Sequence, residues 1–173
     1  MIRIEQIRNF FPTQIRGDSG IDKYILKEYL QLMILDYLSS TPSIRKMAFI
    51  GGTNLRLVKG IDRFSEDLDF TVPQQNHLNV DFLTEAFREI ADSLYNEAGL
   101  EIPKDLIRFE IYENPRGTLS AEGKISYRGP MQQRGDLPRV KLDLTTDEII
   151  VLPPQIREVR HTYSCLLYTL TLP

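Results

Sequence analysis

The sequence predicts an α/β domain in which a mixed sheet is flanked by helices. A short apolar run, Met47 to Ile50, is cut off sharply by Gly51-Gly52, as at the end of a buried strand. Two long stretches, 21–38 and 80–98, repeat apolar residues at helical spacing. From Leu106 onward the apolar period changes to two, which is typical of strands.

The composition is that of an ordinary globular protein. The chain has 173 residues, 42% hydrophobic and 26% charged, and we expect one domain over residues 1–173. A single cysteine, Cys165, excludes an internal disulfide and favours a reducing cytoplasm. No stretch fits a signal peptide or a membrane span, so no membrane partner is expected. A net charge of −3 argues against electrostatic binding of nucleic acid over the whole protein surface.

The two helical stretches are interpreted as scaffold. Residues 1–20 are a mixed, poorly periodic lead-in, with Pro12 and residues 17–20 as breakers. The first helix is predicted from Ile21 to Leu38, and the second from about Val80 to Ala98, with Gly99 placed as its C-terminal cap. An apolar helical stripe is usually core, so we assign no cofactor groove to either helix.

The diglycine has the features of a phosphate-binding turn. Glycine tolerates positive φ and lets a bulky anion approach main-chain N–H groups. A short helix predicted from Thr53 to Val58 would point its unpaired N–H groups at Gly51 and Gly52. The alternative is an ordinary tight turn.

Two carboxylates follow on the next predicted strand. Because side chains alternate along a strand, Asp67 and Asp69 lie on one face, with Leu68 and Phe70 on the other. The two carboxylates repel each other, and hard oxygen ligands on one face suit Mg²⁺ bridging to substrate phosphates. A solvated edge of the sheet is the alternative.

Three more strands are predicted, over 106–112, 122–128 and 139–145. The last of them places Asp143 and Lys141 on one face. A carboxylate on a strand beside the first pair could complete a metal site or receive a proton from an attacking hydroxyl, so Asp143 is the predicted third member. Asp147 and Glu148 are weaker candidates because they lie at the frayed end of the strand. Lys141 could approach a phosphate, although a salt bridge is commoner for such a lysine.

The glycine turn and the carboxylate strand together form a two-part motif. It reads Gly51-Gly52-Thr53-x-Leu55-Arg56, then Arg63-x-Ser65-x-Asp67-x-Asp69-Phe70. This motif resembles the signature of the AbiEii/AbiGii-type nucleotidyltransferase toxins, which belong to the polymerase-β-like nucleotidyltransferase superfamily. The Lys-Leu-Asp-Leu run at 141–144 also resembles the family pattern where a third carboxylate is found.

The resemblance implies a polymerase-β-like nucleotidyltransferase fold and a chemistry. A nucleoside monophosphate would pass from an NTP to an acceptor hydroxyl with Mg²⁺ or Mn²⁺ as cofactor. Asp67, Asp69 and Asp143 would be metal ligands and catalytic residues. Gly51, Gly52, Thr53 and Lys141 would bind the NTP phosphates, while Arg63 and Ser65 would orient the triphosphate or the turn. An ion pair is the alternative role for Arg63.

The resemblance also implies RNA, in particular tRNA, as acceptor, and a role as the toxin of a type IV toxin–antitoxin or phage-defence system, with an antitoxin as partner. The residues themselves are ambiguous, because basic and acidic side chains are interleaved over residues 104–141. The basic and aromatic members are Lys104, Arg108, Tyr112, Arg116, Lys124, Tyr127, Arg128, Arg134, Arg139 and Lys141.

Two other functions remain open from the sequence. The acceptor could be a protein or a small molecule such as an antibiotic. Alternatively, the chain could be an inactive nucleotide-binding module, because the Lys-x-x-x-Arg helix and the later Asp motif of the family's helical C-terminal domain are not found. His77 and His161 are expected at the surface. Residues 166–172 are interpreted as an apolar strand or the start of a further element.

Overall fold

The computed structural model describes most of the chain. The described residues are 3–11, 13–16, 18, 20–40, 47–72, 80–98, 107–113, 115, 119–127, 138–146, 150–159 and 170–172. Several residues named above lie outside this set, namely His77, Gly99, Lys104, Arg116, Arg128, Arg134, Asp147, Glu148, His161 and Cys165. Within the described residues, no helix is both long and apolar enough to cross a membrane.

A five-stranded mixed sheet forms the centre of the fold. The strands of the described structure are β1 (Ala48–Ile50), β2 (Asp67–Val72), β3 (Ile107–Glu113), β4 (Leu119–Ser126), β5 (Arg139–Thr146), β6 (Arg157–Val159) and β7 (Leu170–Leu172). The order in the central sheet is β1-β2-β5-β4-β3, where β2 and β5 are parallel and the other neighbours are antiparallel. A separate two-stranded sheet pairs β6 with β7.

The helices are α1 (Ile4–Arg8), α2 (Thr13–Arg16), α3 (Asp22–Ser40), α4 (Gly51–Leu57) and α5 (Val80–Ala98). The two long helices, α3 and α5, pack against the sheet, at β5 and β3 respectively. The helix α3 lies in the core and also contacts α1 and α5, with Ile25, Leu30, Leu32 and Leu35 fully buried. The helix α5 presents a buried apolar stripe, as its amphipathic sequence predicts.

Buried polar groups on α3 connect it to its neighbours. Asp22 is bonded to the guanidinium of Arg8, which joins α3 to the N-terminal segment. Glu28 pairs with Arg56 of α4, and both side chains are mostly buried. Gln31 donates from Nε2 to the carbonyl of Ser65, at 3.2 Å. These contacts hold α4 and the segment before β2 in fixed positions against the core.

The predicted class, a mixed α/β fold with flanking helices, is confirmed. The poorly periodic lead-in over residues 1–20 contains two short helices, α1 and α2, which the sequence pattern does not indicate. Helices of five and four residues are too short to show a 3.6-residue period. They are held by tertiary contacts, since Ile7 and Phe11 are buried.

Element boundaries differ in two places that matter for function. The helix α4 begins at Gly51 rather than Thr53, so the diglycine forms its first turn. The strand β4 begins at Leu119 rather than Glu122, which sets its pairing with β5. The C-terminal strand expected within 166–172 is present as β7.

Candidate active site

The predicted carboxylates come together on the polar face of the sheet. Asp69 on β2 lies directly opposite Asp143 on β5, because the two strands are parallel and in this register. Asp67 lies opposite Lys141. Neighbouring strands are separated by about 4.8 Å, so these side chains stand side by side. The strand pairing therefore brings Asp143 beside Asp67 and Asp69.

The strand pairing extends these positions into two rows across the sheet. The acidic row runs from Asp69 through Asp143 and Glu122 to Glu110, with one member on each of four strands. The mixed row beside it contains Asp67, Lys141, Lys124 and Arg108. Sequence reasoning missed Glu122 because the alternation within β4 does not reveal which residue of β5 it opposes.

Lys141 lies between the carboxylates and pairs with two of them. Its Nζ is 2.7 Å from Asp143 Oδ2 and 3.2 Å from Glu122 Oε2. Lys124 also pairs with Glu122. The hydrogen bond to Asp143 is the main reason why the pKa of Lys141 is raised. In this structure Lys141 therefore forms the salt bridge that was the alternative to its phosphate role.

Asp67 and Asp69 have no such cation bonded to them in the described structure. Burial raises the pKa of both carboxyl groups. Asp143 and Asp67 raise the pKa of Asp69 further, whereas Lys141 lowers the pKa of each group. The physical cause is a set of partly desolvated negative charges on one face of the sheet. Binding a cation there would relieve this unfavourable state.

The donors fit a hard divalent cation in chemical type. Carboxylate oxygens are the ligands that Mg²⁺ and Mn²⁺ prefer, and Asp67, Asp69 and Asp143 present them on one face. Within the described residues, no three acidic, histidine or cysteine side chains are already arranged to hold a metal ion. Asp143 is instead bonded to Lys141.

The diglycine packs directly against the carboxylate strand. Gly51 has φ of +75°, and a β-carbon there would lie 2.0 Å from Asp69 Oδ2. A β-carbon on Gly52 would lie 2.7 Å from the Ser65 hydroxyl oxygen and 3.8 Å from Arg63 Nη2. Both glycines are therefore required for close approach, and Gly51 also for its backbone conformation.

Thr53 fixes the start of β2. Its buried hydroxyl donates to the carbonyl of Asp67, so it is already engaged within the protein. The N-cap residue of α4, Ile50, makes no side-chain capping bond, and the first N–H groups of a helix have no partner within the helix. Backbone donors are thus the groups that this turn can offer to an anion.

Arg63 and Ser65 flank Gly52 and are held there by Phe64. The Phe64 ring stacks on Tyr24 at 5.8 Å between centroids, and the Arg56 guanidinium lies 4.3 Å from its centre. Among the described residues, Arg63 has no carboxylate partner, so its alternative role as an ion-pair residue is not observed. The motif arginine that forms a structural ion pair is Arg56, with Glu28.

A cavity of about 490 Å³ opens beside the glycine turn. Ile50 lies in its wall and is the strand partner of Asp69, so the cavity begins one strand away from the carboxylates. Its wall is largely apolar, with the cationic side chains of Lys59 and Arg157 and the amide of Asn54. An apolar cavity with a few polar groups suits an organic ligand.

The comparisons with known proteins give the family. A family model described as nucleotidyl transferase AbiEii toxin, type IV TA system, matches residues 34–173. No curated protein matches the chain. The solved structure of JHP933 from Helicobacter pylori is 22% identical, with a TM-score of 0.48 over 71% of this chain and 44% of that chain.

A second H. pylori structure, provisionally assigned as a nucleotidyltransferase, is 21% identical, with a TM-score of 0.47 over 70% of this chain and 44% of its own. The chain thus spans less than half the length of these two structures. The family model, by contrast, covers most of the chain and includes the glycine turn and all three aspartates. The chain therefore belongs to the AbiEii nucleotidyltransferase toxin family of type IV toxin–antitoxin systems.

Proposed function

We propose that this protein transfers a nucleoside monophosphate from an NTP to an acceptor hydroxyl with the aid of Mg²⁺ or Mn²⁺. The observation that carries the proposal is the strand pairing that sets Asp69 opposite Asp143 beside Gly51. Asp67, Asp69 and Asp143 would hold the metal. When bound, the metal would neutralise phosphate charge and bring the triphosphate and the hydroxyl together.

The residues around the turn bind and orient the NTP. The N–H groups of Gly51, Gly52 and Thr53 donate hydrogen bonds to phosphate oxygens, while Arg63 and Ser65, which lie next to Gly52, orient the triphosphate. The cavity beside Ile50 accommodates the nucleoside. Lys141 approaches a phosphate when it leaves its salt bridge.

The reaction is an in-line displacement. The oxygen of the acceptor hydroxyl forms a bond to the α-phosphorus, and the bond from that phosphorus to pyrophosphate breaks. The proton of the hydroxyl passes to a carboxylate, and we assign this role to Asp143, which lies opposite Asp69 on the next strand of the sheet. The net result is a phosphodiester on the acceptor and free pyrophosphate.

RNA, in particular tRNA, is the proposed acceptor. Arg108 and Lys124 lie in the mixed row that leads from Asp67 to the β3 edge of the sheet, and Tyr112 is exposed near this edge. Cations and an exposed aromatic ring on one face suit a polynucleotide backbone with unstacked bases. As a toxin of this family, the protein would act against its own cell or an infecting phage, and its partner would be an antitoxin.

A transfer assay tests this function. The wild-type chain and an Asp67→Asn/Asp69→Asn variant would be incubated with each labelled NTP, Mg²⁺ and total tRNA, and RNA, protein and small molecules would be separated afterwards. Label in RNA with the wild type alone is the expected result. Label in protein or in small molecules would mean that the acceptor belongs to that class and is not RNA. Equal transfer by the double variant would refute the proposed site.

A further inference from the structure

We infer that Lys141 is the resident cation of the metal-free site, and that it must leave Asp143 before a divalent ion is bound by the aspartates. This inference rests on the proposed function, because it concerns the same carboxylates. It assigns Lys141 a positioning role: with no metal present it neutralises the aspartates, and with metal present it is released toward the phosphates of the NTP.

Lys141 is bonded directly to one of the proposed metal ligands. Its Nζ lies 2.7 Å from Asp143 Oδ2, which is a charge-assisted hydrogen bond to one of the proposed metal ligands. Its backbone position is directly opposite Asp67, the second ligand. The ammonium group itself extends toward β4, where it also reaches Glu122, and it holds Asp143 Oδ2, one of the two carboxylate oxygens with which Asp143 could bind a metal ion.

Glu122 gives Lys141 a second anchor. The distance from Nζ to Glu122 Oε2 is 3.2 Å, and Glu122 lies outside the aspartate trio, on β4. An ammonium has three N–H donors, so Lys141 can release Asp143 and remain attached to Glu122. Exchange with a metal ion then requires a small movement of one flexible side chain, with no opening of the fold.

A purely structural salt bridge is the competing explanation. The side chains of Lys141 and Asp143 are 27% and 30% exposed, and pairs this accessible contribute little to stability. If the pair served only stability, the Lys141 ammonium would change little when metal is added. A lysine that competes with a metal for the carboxylate of Asp143 must instead move when the metal binds.

Lys124 provides a matched control. It stands next to Lys141 in the mixed row and also pairs with Glu122, but among the described residues it forms no ion pair with Asp143. Removing either lysine removes one positive charge from the same face. Only Lys141→Met removes the direct competitor, so a difference between Lys141→Met and Lys124→Met separates competition from long-range electrostatics.

The test combines Mn²⁺ binding, followed by electron paramagnetic resonance, with NMR of lysine side-chain ammonium groups during a Mg²⁺ titration. We expect Lys141→Met to bind Mn²⁺ about fivefold more tightly than wild type, as loss of a partly exposed competing charge allows, and Lys124→Met to change affinity less than twofold. The Lys141 ammonium signal, identified by its absence from Lys141→Met, should shift with Mg²⁺ while the Lys124 signal stays in place.

Equal effects of the two lysine substitutions, or a Lys141 signal that does not respond at saturating Mg²⁺, would overturn the inference. The Asp69→Asn variant distinguishes this failure from that of the proposed function. If neither wild type nor Lys141→Met binds Mn²⁺ better than Asp69→Asn does, the proposed metal site is refuted and both proposals fail. If Lys141→Met binds Mn²⁺ better than Asp69→Asn does and wild type does not, the inference is supported in its strongest form.

Discussion

Gly51 and Asp69 are in direct contact, and each determines where the other can be. The φ of +75° at Gly51 turns the chain from β1 into α4, and a β-carbon there would meet Asp69 Oδ2 at 2.0 Å. The two halves of the family motif are thus one packed unit. The turn that would receive phosphate and the carboxylate that would hold metal cannot move independently.

Replacement of Gly51 by alanine should damage both stability and function. A left-handed conformation costs an L-residue about 1–2 kcal/mol, and the overlap with Asp69 adds to this. We expect a loss of about 2–4 kcal/mol in the free energy of unfolding, measured with urea, together with loss of transfer activity.

Gly60→Ala is the control for this prediction. Gly60 has the same φ of +75°, but a β-carbon there meets nothing within 4 Å. The Gly60→Ala variant should therefore lose only the backbone contribution, about 1–2 kcal/mol of the free energy of unfolding. Similar losses for Gly51→Ala and Gly60→Ala would mean that the contact with Asp69 does not matter.

Thr53→Val should loosen the start of β2. Valine has nearly the same shape as threonine but cannot donate to the carbonyl of Asp67, which would lose this partner. The expected loss is about 1–3 kcal/mol in the free energy of unfolding. Thr53→Ser keeps the hydroxyl and should recover most of this loss, so equal destabilisation by both substitutions would contradict the assigned hydrogen bond.

Arg56→Met should be among the more destabilising substitutions of the family motif. It removes the guanidinium that pairs with Glu28, whose side chain is only 8% exposed. Breaking a buried ion pair in this way costs about 3–5 kcal/mol. Arg88→Met, which breaks an exposed pair with Glu85, should change stability by less than about 0.5 kcal/mol.

The pH dependence of stability should reveal that ionised Asp69 is destabilised by burial and by the neighbouring aspartates. The pKa of Asp69 is raised in the folded protein, so the folded state holds this proton more tightly than the unfolded chain does. As pH rises from the unfolded pKa of about 3.8 through the folded pKa, this group therefore lowers the stability, and the loss is complete above that range.

Asp69→Asn cannot ionise and should escape that loss. In metal-free buffer, the difference in the free energy of unfolding between Asp69→Asn and wild type should grow in favour of the variant between pH 4 and 7. Chemical unfolding at several pH values measures this difference. A difference that shrinks over the same range would mean that the carboxylate is stabilised by its surroundings.

The local motifs could be predicted from the sequence, whereas their partners could not. Alternation along one strand was enough to place Asp67 and Asp69 on one face, and Asp143 on a later strand. The opposition of Glu122 to Asp143 depends on the register between β4 and β5, which no short pattern encodes. The bond from Lys141 to Asp143 follows from a side-chain conformation that strand alternation leaves open.

Tertiary contacts explain the remaining differences. The short helices α1 and α2 are held by burial and by the pair between Arg8 and Asp22, so their own sequences predict little. The family resemblance implies that Thr53 binds phosphate, whereas in the fold its hydroxyl donates to the backbone carbonyl of Asp67. A threonine after a diglycine is compatible with both roles.

Release of pyrophosphate from NTP, measured against Mg²⁺ concentration with the acceptor RNA present, tests the central claim most directly. Wild type, Asp69→Asn and Glu110→Gln would be compared, since Glu110 belongs to the same acidic row but lies at the far edge of the sheet. We predict Mg²⁺-dependent release by wild type, a rate at least about 100-fold lower for Asp69→Asn, and a rate within about threefold of wild type for Glu110→Gln. Release that persists in Asp69→Asn would contradict the claim that these aspartates carry the reaction.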